Sequence, residues 1–389
     1  MKNNRTFLEK LLDGAEVEWK TLDEIFHLRN GYTPSKGVKE YWENGSIPWF
    51  RMEDIRENGR VLNTALQKVS ESAVKGGKLF PANSIIIATS ATIGEHALIT
   101  IPFLANQRFT VLSLKPEYID KFNIYFLYHY CFTLDDWCQK NTTMSSFASV
   151  DMNGFRKFLI PIPPLPVQTE IVKILDALTA LTSELTSELT LRRKQYEYYR
   201  EKLLSEEELG KVGGKWKSLS EVANIANNAR KPVKSSLRIS GSTPYYGANN
   251  IQDYVEGYTH DGEFVLIAED GSASLENYSI QWAVGKFWAN NHVHVVNGKE
   301  ELNNRFLYHY LTNMNFVPFL AGKERAKLTK AKLQQIPIFV PPLEEQHRIV
   351  SILDKFETLT NSITEGLPLA IEQSQKRYEY YRELLLDFS

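Results

Sequence analysis

Cysteine is scarce: among 389 residues only Cys131 and Cys138 carry thiols. They stand in an aromatic stretch that reads as helix, which suits a packed core and argues against a disulfide framework or a thiolate metal centre. Long apolar runs are missing too. The opening MKNNRTFLEKLLDGAEVEW has no apolar core of signal-peptide length, and no run of about 18 apolar residues occurs, so a cytoplasmic protein is expected. A surplus of positive charge is also lacking. The formal net charge of -2 argues against a protein that grips nucleic acid by bulk charge alone, yet leaves room for a local basic surface.

Catalytic signatures are absent as well. GGKW at 213–216 has neither the spacing nor the hydroxyl residue of a phosphate-binding loop, and no GxGxxG follows a strand pattern. Adjacent prolines occur only in IPPL and VPPL, so the Asn/Asp-Pro-Pro-aromatic tetrapeptide of amino-methyltransferases is missing. No Asp with a Glu-x-Lys partner follows a strand, which disfavours a nuclease. His292 and His294 alternate on a strand pattern without a carboxylate or cysteine nearby in sequence, so no metal site is expected. The chain reads as non-catalytic.

What it does contain is a repeat. PPLPVQTEIVKILD at 163–176 matches PPLEEQHRIVSILD at 341–354, and YEYYRE recurs at 196–201 and 378–383. Fainter pairs lie upstream: FLYHY at 126–130 and 306–310, PFLANQRFTVL at 102–112 with KFWANNHVHVV at 286–296, and WKTL at 19–22 with WKSL at 216–219. LEKLL at 8–12 resembles REKLL at 200–204, as if the start of the chain were a displaced end of a further helix copy. Such a chain could close into a pseudo-twofold ring with its termini close together.

Spacing predicts two long helices. Ile171, Leu175, Leu178, Leu181, Leu185, Leu189, Tyr196, Tyr199 and Leu203 form one stripe with no Gly or Pro between Val167 and Ser205. At ~1.5 Å per residue that is roughly 55 Å. The second copy carries Ile349, Leu353, Phe356, Ile363, Leu367, Ile371, Tyr378, Tyr381 and Leu385, and Gly366 with Pro368 predicts a break there. Packing on each other as an antiparallel coiled coil would cover both stripes. Three tyrosines in four residues cannot all face one stripe, so Tyr196, Tyr198, Tyr199 and Arg200, with Tyr378, Tyr380, Tyr381 and Arg382, serve either as helix packing or as docks for a partner. The intervening segments, with SIIIATSATIG at 84–94 and EFVLIAEDGSAS at 263–274 as buried strands, read as α/β units.

Those segments concentrate cations, amides and aromatics. The first has Lys36, Arg51, Arg56, Arg60 and Arg108 among Tyr41, Trp42, Trp49 and Phe50. The second has Arg230, Lys231, Lys234 and Arg238, then Tyr245, Tyr246, Asn249 and Asn250, and later Lys323, Arg325 and Lys327. Arg and Lys bond guanine edges or phosphates, while Asn and Gln bond adenine edges, so this mixture suits duplex DNA. Solvated loop polarity would give a similar composition.

Two variable α/β segments alternating with two similar helices, each opened by PPLxxQxxIVxILD and closed by QYEYYRE or RYEYYRE, strongly resemble the specificity subunit of type I restriction-modification systems. The resemblance covers essentially the whole chain. It implies target recognition domains at residues 1–162 (with the N-terminal stub) and 216–340, conserved helices at 163–206 and 341–389, and a linker at 207–215. Each recognition domain would read half of a bipartite double-stranded DNA target, and the helices would set the gap and dock two methyltransferase subunits, with restriction subunits joining. S-adenosylmethionine, ATP and magnesium would be used by those partners, with no cofactor in this chain and no membrane. A coiled-coil scaffold that clamps two proteins without touching DNA is the rival reading; it explains the helices and not the cationic loops.

Overall fold

The computed structural model describes residues 6–143, 148–322 and 326–388. The chain divides into two compact units, Met1–Ser183 with Gln373–Ser389, and Glu184–Glu372. Both divisions fall within helices. Each unit therefore contains one α/β segment, the start of the helix after it, and the last turns of the other helix.

In the first unit a five-stranded sheet runs in the order Phe26–Asn30, Phe109–Leu114, Ser84–Ala88, His96–Ile99, Val61–Leu62. Beside it lies a three-stranded sheet of Lys68–Val69, Ile47–Phe50 and Leu104–Ala105. The apolar run at 84–88 is buried on both faces, as a central strand must be. The second unit has one six-stranded sheet, ordered Ala223–Ile225, Val293–Gly298, His260–Ala268, Ile280–Ala289, Ser240–Tyr246, Ile251–Val255. Corresponding strands keep corresponding register, with Ala88 opposite Phe109 and Ala268 opposite Val293.

The upstream repeats close each segment. Glu18–Thr21 pairs antiparallel with Leu159–Ile162, and Lys215–Ser218 pairs with Pro337–Val340, so the WKTL and WKSL strands tie the beginning of a segment to its end. Each then turns into a short helix through a capping box, Thr21 with Glu24 and Ser218 with Glu221.

From that closed strand pair the prolines lead into the helix Leu165–Leu203 in one case and Leu343–Asn361 in the other. The glutamine of PPLxxQ is fully buried and fixes the angle. Gln168 Nε2 donates to the carbonyls of Pro163 at 2.8 Å and Lys121 at 2.9 Å, while its Oε1 accepts the Asn123 N–H at 2.9 Å. Gln346 repeats this with Pro341 at 2.8 Å, Glu301 at 2.9 Å and Asn303 at 2.8 Å. Asn123 and Asn303 in turn cap the FLYHY helices Ile124–Lys140 and Asn304–Thr312. Two turns further along the helix, the histidine of FLYHY meets the aspartate of ILD: His129 Nε2 lies 2.8 Å from Asp176 and His309 Nε2 lies 2.7 Å from Asp354. The repeated letters are thus the residues of one joint, built twice.

The predicted break is present. The second helix stops at Asn361 and resumes as Leu367–Leu386 with Pro368 in its first turn. A Cβ on Gly366 would stand 2.5 Å from the Thr358 carbonyl, so only glycine passes there. Ile363 falls in the break and is 75% exposed, which removes it from the expected stripe. Within each unit the helices run antiparallel: in the first, Thr182 bonds Ser374 at 2.8 Å while Ile171 and Leu175 share a core with Leu385 and Leu386; in the second, Tyr196 stacks on Phe356 while Leu204 shares a core with Ile349. Leu8, from the short helix Phe7–Leu12, joins the same core as Leu385, so both ends of the chain meet in the first unit. That short helix precedes the strand at Glu18 as Glu206–Lys211 precedes the strand at Lys215. It corresponds to the element after the central helix rather than to its last turn.

Cys131 and Cys138 are free and buried in the first core, where burial pushes the Cys138 thiol up to about 12. Among the described residues no helix is long and apolar enough to cross a membrane. Replacing either buried glutamine by leucine strands two carbonyls and an N–H, so Gln168→Leu and Gln346→Leu should each destabilise their unit by about 1–3 kcal/mol. Urea unfolding of the full chain checks this; an unchanged midpoint for both would contradict it.

Candidate nucleic-acid interface

In the first unit the strand Ile47–Phe50 ends beside the turn at 105–109, because the Asn106 N–H donates to the Phe50 carbonyl at 3.0 Å. This brings Arg51 and Arg108, far apart in sequence, to one groove of about 660 Å³ that also holds Lys36, Asn106 and Gln107. Trp42 and Trp49 meet edge to face at 5.1 Å along its wall, and the Arg51 guanidinium lies over the Trp49 ring at 5.5 Å. Gln107 is bonded to the Thr33 hydroxyl. Lys36, Lys39, Arg51 and Arg108 outnumber Glu43 and Glu53 on the lining, so the groove is cationic although the chain is not. Behind the turn, a Cβ on Gly31 would stand 2.3 Å from the Ala105 and Asn106 carbonyls, so that glycine lets the turn seat.

Two arginines expected with this set are elsewhere. Arg56 is exposed on the last turn of the helix Met52–Asn58, outside the groove lining. Arg60 bonds the buried Asp135 at 3.4 Å and lies over Phe132 at 5.1 Å. Burial pushes the Asp135 carboxyl up, against the pull of His96 at 2.5 Å and of Arg60. Arg60 is the counterion of a core acid.

The second unit has a hollow of about 770 Å³ lined by Asn249, Gln252, Asp270, Ser272, His292 and Lys327. Asn249 shapes it, donating to the Gly271 carbonyl at 2.9 Å and accepting the Ala273 N–H at 2.8 Å. Asn250 is exposed next to it, and its carbonyl accepts the Gly247 N–H at 3.0 Å. Lys327 is 3.0 Å from Glu269, and Arg230 reaches both Glu269 and the Val293 carbonyl at 2.7 Å. Burial raises the Glu269 carboxyl, but the bonds from Arg230 and Lys327 outweigh it and hold the group below its ordinary value. Arg230 is therefore a strut under the hollow. Lys231 and Lys234 are exposed, Lys231 near the Trp288 ring at 5.9 Å.

Tyr245, expected at the surface, is 1% exposed; its hydroxyl accepts the Val233 N–H at 3.0 Å and Arg238 stacks on its ring at 4.0 Å. Tyr246 is half-buried, edge-on to Phe287 at 5.8 Å. Both are packing residues. Lys323 and Arg325 lie outside the described residues. His294 is buried, bonded to the Leu328 carbonyl at 2.7 Å and to Asn227 at 2.8 Å, while His292 faces the hollow and bonds Asp270. Among the described residues one cluster has metal-like spacing, His309 with Asp354 and Glu357, and Arg305 already bonds both carboxylates.

The hexapeptides split by direction. Tyr196 stacks on Phe356 at 6.2 Å with Arg200 over its own ring at 5.4 Å, and Tyr199 also stacks on Phe356 at 5.6 Å. Tyr378 lies 3.3 Å from His129 Nδ1, and Arg382 covers Phe132 at 4.6 Å. Burial raises both the Tyr196 and Tyr378 phenols. Tyr198 and Tyr380 face outward, 57% and 62% exposed. Tyr380 and Tyr381 line a hollow of about 740 Å³ with Phe7, Ile174 and Arg377; Tyr198 lines one of about 530 Å³ with Glu201, Lys202 and Glu207. Tyr198 and Tyr380 hold the same place in the repeat, while the two hollows are lined differently.

Sequence reasoning misses Asn106, Gln107, Gln252 and His292 as site residues. The signal for three of them lies in the pairing of ANQR with ANNH, which by sequence alone marks only a repeat.

A family model described as "Type I restriction modification DNA specificity domain" matches residues 15–191 and 213–373. The chain is 52% identical over 374 residues to the EcoprrI type I restriction enzyme specificity subunit of Escherichia coli, covering 92% of each protein. It is 32% identical to the EcoR124I/EcoR124II specificity subunit of Escherichia coli over 98% of this chain and 97% of that one. In solved structures, the fold matches a chain from a study of assembly and conformational transition of the type I system, at a TM-score of 0.61, 19% identity and coverage of 96% and 98%. It also matches the S subunit from M. genitalium, at 0.57, 17% identity and coverage of 100% and 98%. The scaffold reading loses its footing, and the chain belongs to the DNA specificity subunits of type I restriction-modification systems.

Proposed function

We propose that each unit reads one half of a bipartite duplex sequence, through residues 1–162 in one case and 216–340 in the other. The observation that carries this is the pair of polar hollows. Each is formed by loops at the corresponding edge of a corresponding sheet, and each is lined by cations and amides suited to base edges and phosphates. Arg51, Arg108 and Lys36 would serve the first half-site, and Asn249 and Gln252 the second, with Lys327 suited there to a phosphate rather than a base. Arg56, Lys231 and Lys234, exposed beyond the hollows, suit phosphate contacts.

The subunit is non-catalytic in this reading and works in the cytoplasm. Two methyltransferase subunits dock at the outward tyrosines of the hexapeptides, with restriction subunits joining the assembly. S-adenosylmethionine, ATP and magnesium belong to those partners. The helix Leu165–Leu203 sets the gap between half-sites.

The purified chain alone should neither methylate nor cleave DNA nor hydrolyse ATP, and it should co-purify with two methyltransferase subunits. Tyr198→Ala with Tyr380→Ala should weaken that assembly by roughly tenfold or more, the loss expected of exposed aromatic anchors. Activity assays on the chain alone and native mass spectrometry across a dilution series check these; turnover by the partner-free chain, or unchanged two-copy assembly of the double variant, would contradict them.

The gap has its own test. TSEL occurs twice in tandem at 182–189, so deleting residues 183–186 keeps the stripe, with Leu189 replacing Leu185. It removes about 6 Å of helix and turns the downstream part of the chain by roughly 40°. One base pair turns the duplex by roughly 34–36°. The deletion should therefore keep both half-sites and shorten the gap by one pair. Methylation mapping that returned the original gap, or altered half-site bases, would rule this out.

A further inference from the structure

Outside the helices and their joints, the two units share one five-residue turn, ANQRF at 105–109 and ANNHV at 289–293. Its backbone is pinned identically. Asn106 Oδ1 accepts the Arg108 N–H at 2.8 Å, and Asn290 Oδ1 accepts the His292 N–H at 2.8 Å. The Arg108 carbonyl accepts the Thr89 N–H at 3.0 Å, and the His292 carbonyl accepts the Glu269 N–H at 2.8 Å. Thr89 and Glu269 each directly follow the matching central strand, and the next turn residue, Phe109 or Val293, is buried. Residues 108 and 292 thus occupy one structural position, held at both backbone ends. Each is exposed and lines the polar hollow of its unit.

The side chains differ in what they can read. Arginine offers a fork that matches the O6 and N7 acceptors of guanine. His292 Nδ1 is bonded to Asp270 Oδ1 at 2.5 Å, and a carboxylate only accepts, so Nδ1 carries the hydrogen. That leaves Nε2 as the group available to a base. In the neutral ring it accepts from an amino group such as cytosine N4 or adenine N6.

We propose that His292 is a specificity-determining residue of the second unit, the positional counterpart of Arg108, reading one base edge through Nε2 while Asp270 acts as a positioning residue that fixes the tautomer. This rests on the reading that each unit recognises one half-site. It separates His292 from Lys327 and Arg230, which are committed to Glu269 and would carry no base information.

The test uses the assembled methyltransferase complex and maps methylated sites on a genomic DNA library. His292→Ala should relax discrimination at one position of one half-site by roughly fivefold to 150-fold, the range of a good base contact. The other half and the gap should be unchanged. His292→Arg should impose a guanine preference at that same position, a gain that misfolding cannot mimic. Asp270→Ala should relax that position and no other, whereas a merely structural role would lower methylation at every site alike. Arg108→Ala should relax one position in the opposite half. If the wild-type complex and Arg108→Ala show half-sites as expected but His292→Ala and His292→Arg both return the full original motif, this inference fails alone. Uniform loss across all positions in His292→Ala with no new preference in His292→Arg would also overturn it. If Arg108→Ala alters both halves, the half-site reading itself fails.

Discussion

A buried glutamine fixes the direction in which each conserved helix leaves its sheet. Gln168 and Gln346 each bond the proline carbonyl behind them and the loop that opens the FLYHY helix, so two segments distant in sequence are fastened at one amide. An apolar residue of the same size would leave those groups buried and unpaired, which costs more than the apolar contact returns. The His–Asp pair two turns on adds a second fastening, and two fastenings along one helix oppose its swing. In the second unit Arg305 reinforces it by reaching Asp354 and Glu357. Burial raises Asp354, yet the bonds from His309 and Arg305 prevail and keep its carboxyl below the ordinary range.

With the joint fixed, the reading surfaces can diverge while the frame stays intact. The first groove is built on tryptophan and arginine and the second hollow on asparagine, histidine and a loop of small residues. Strand register and the backbone bonds of the turn are the same in both. On the proposed reading, specificity resides in side chains projecting from a backbone that need not change. The negative overall charge is compatible with this, because cations are gathered on the groove while acids such as Asp135 and Glu269 are engaged in internal pairs.

The helices, their break and the buried strands are legible in the sequence because each depends on local spacing: a stripe, a Gly366–Pro368 pair, a run of four aliphatic or small residues beside Ser84. The site is legible only in part. Composition places Arg51 and Arg108 together on a polar surface, and the groove holds both; Arg60 and Arg230 are instead bound to acids 75 and 39 residues away, which no local pattern marks. Tyr245 looks like a surface aromatic because its neighbours are loop residues; the Val233 backbone and Arg238 that enclose it come from an earlier segment. His292, read from its sequence neighbours alone, suggests at most a metal ligand. Its partner Asp270 lies across a strand turn, and the pairing is visible only once the two strands stand in register.

On the proposed reading, this chain sets a two-part DNA address for a methyltransferase. Methylome sequencing of the host with and without the gene tests it most directly. A methylated motif of two unlike half-sites separated by a fixed unspecified gap should be present with the gene and vanish without it. A motif that persists after deletion, or one that is a single uninterrupted sequence, would contradict the claim.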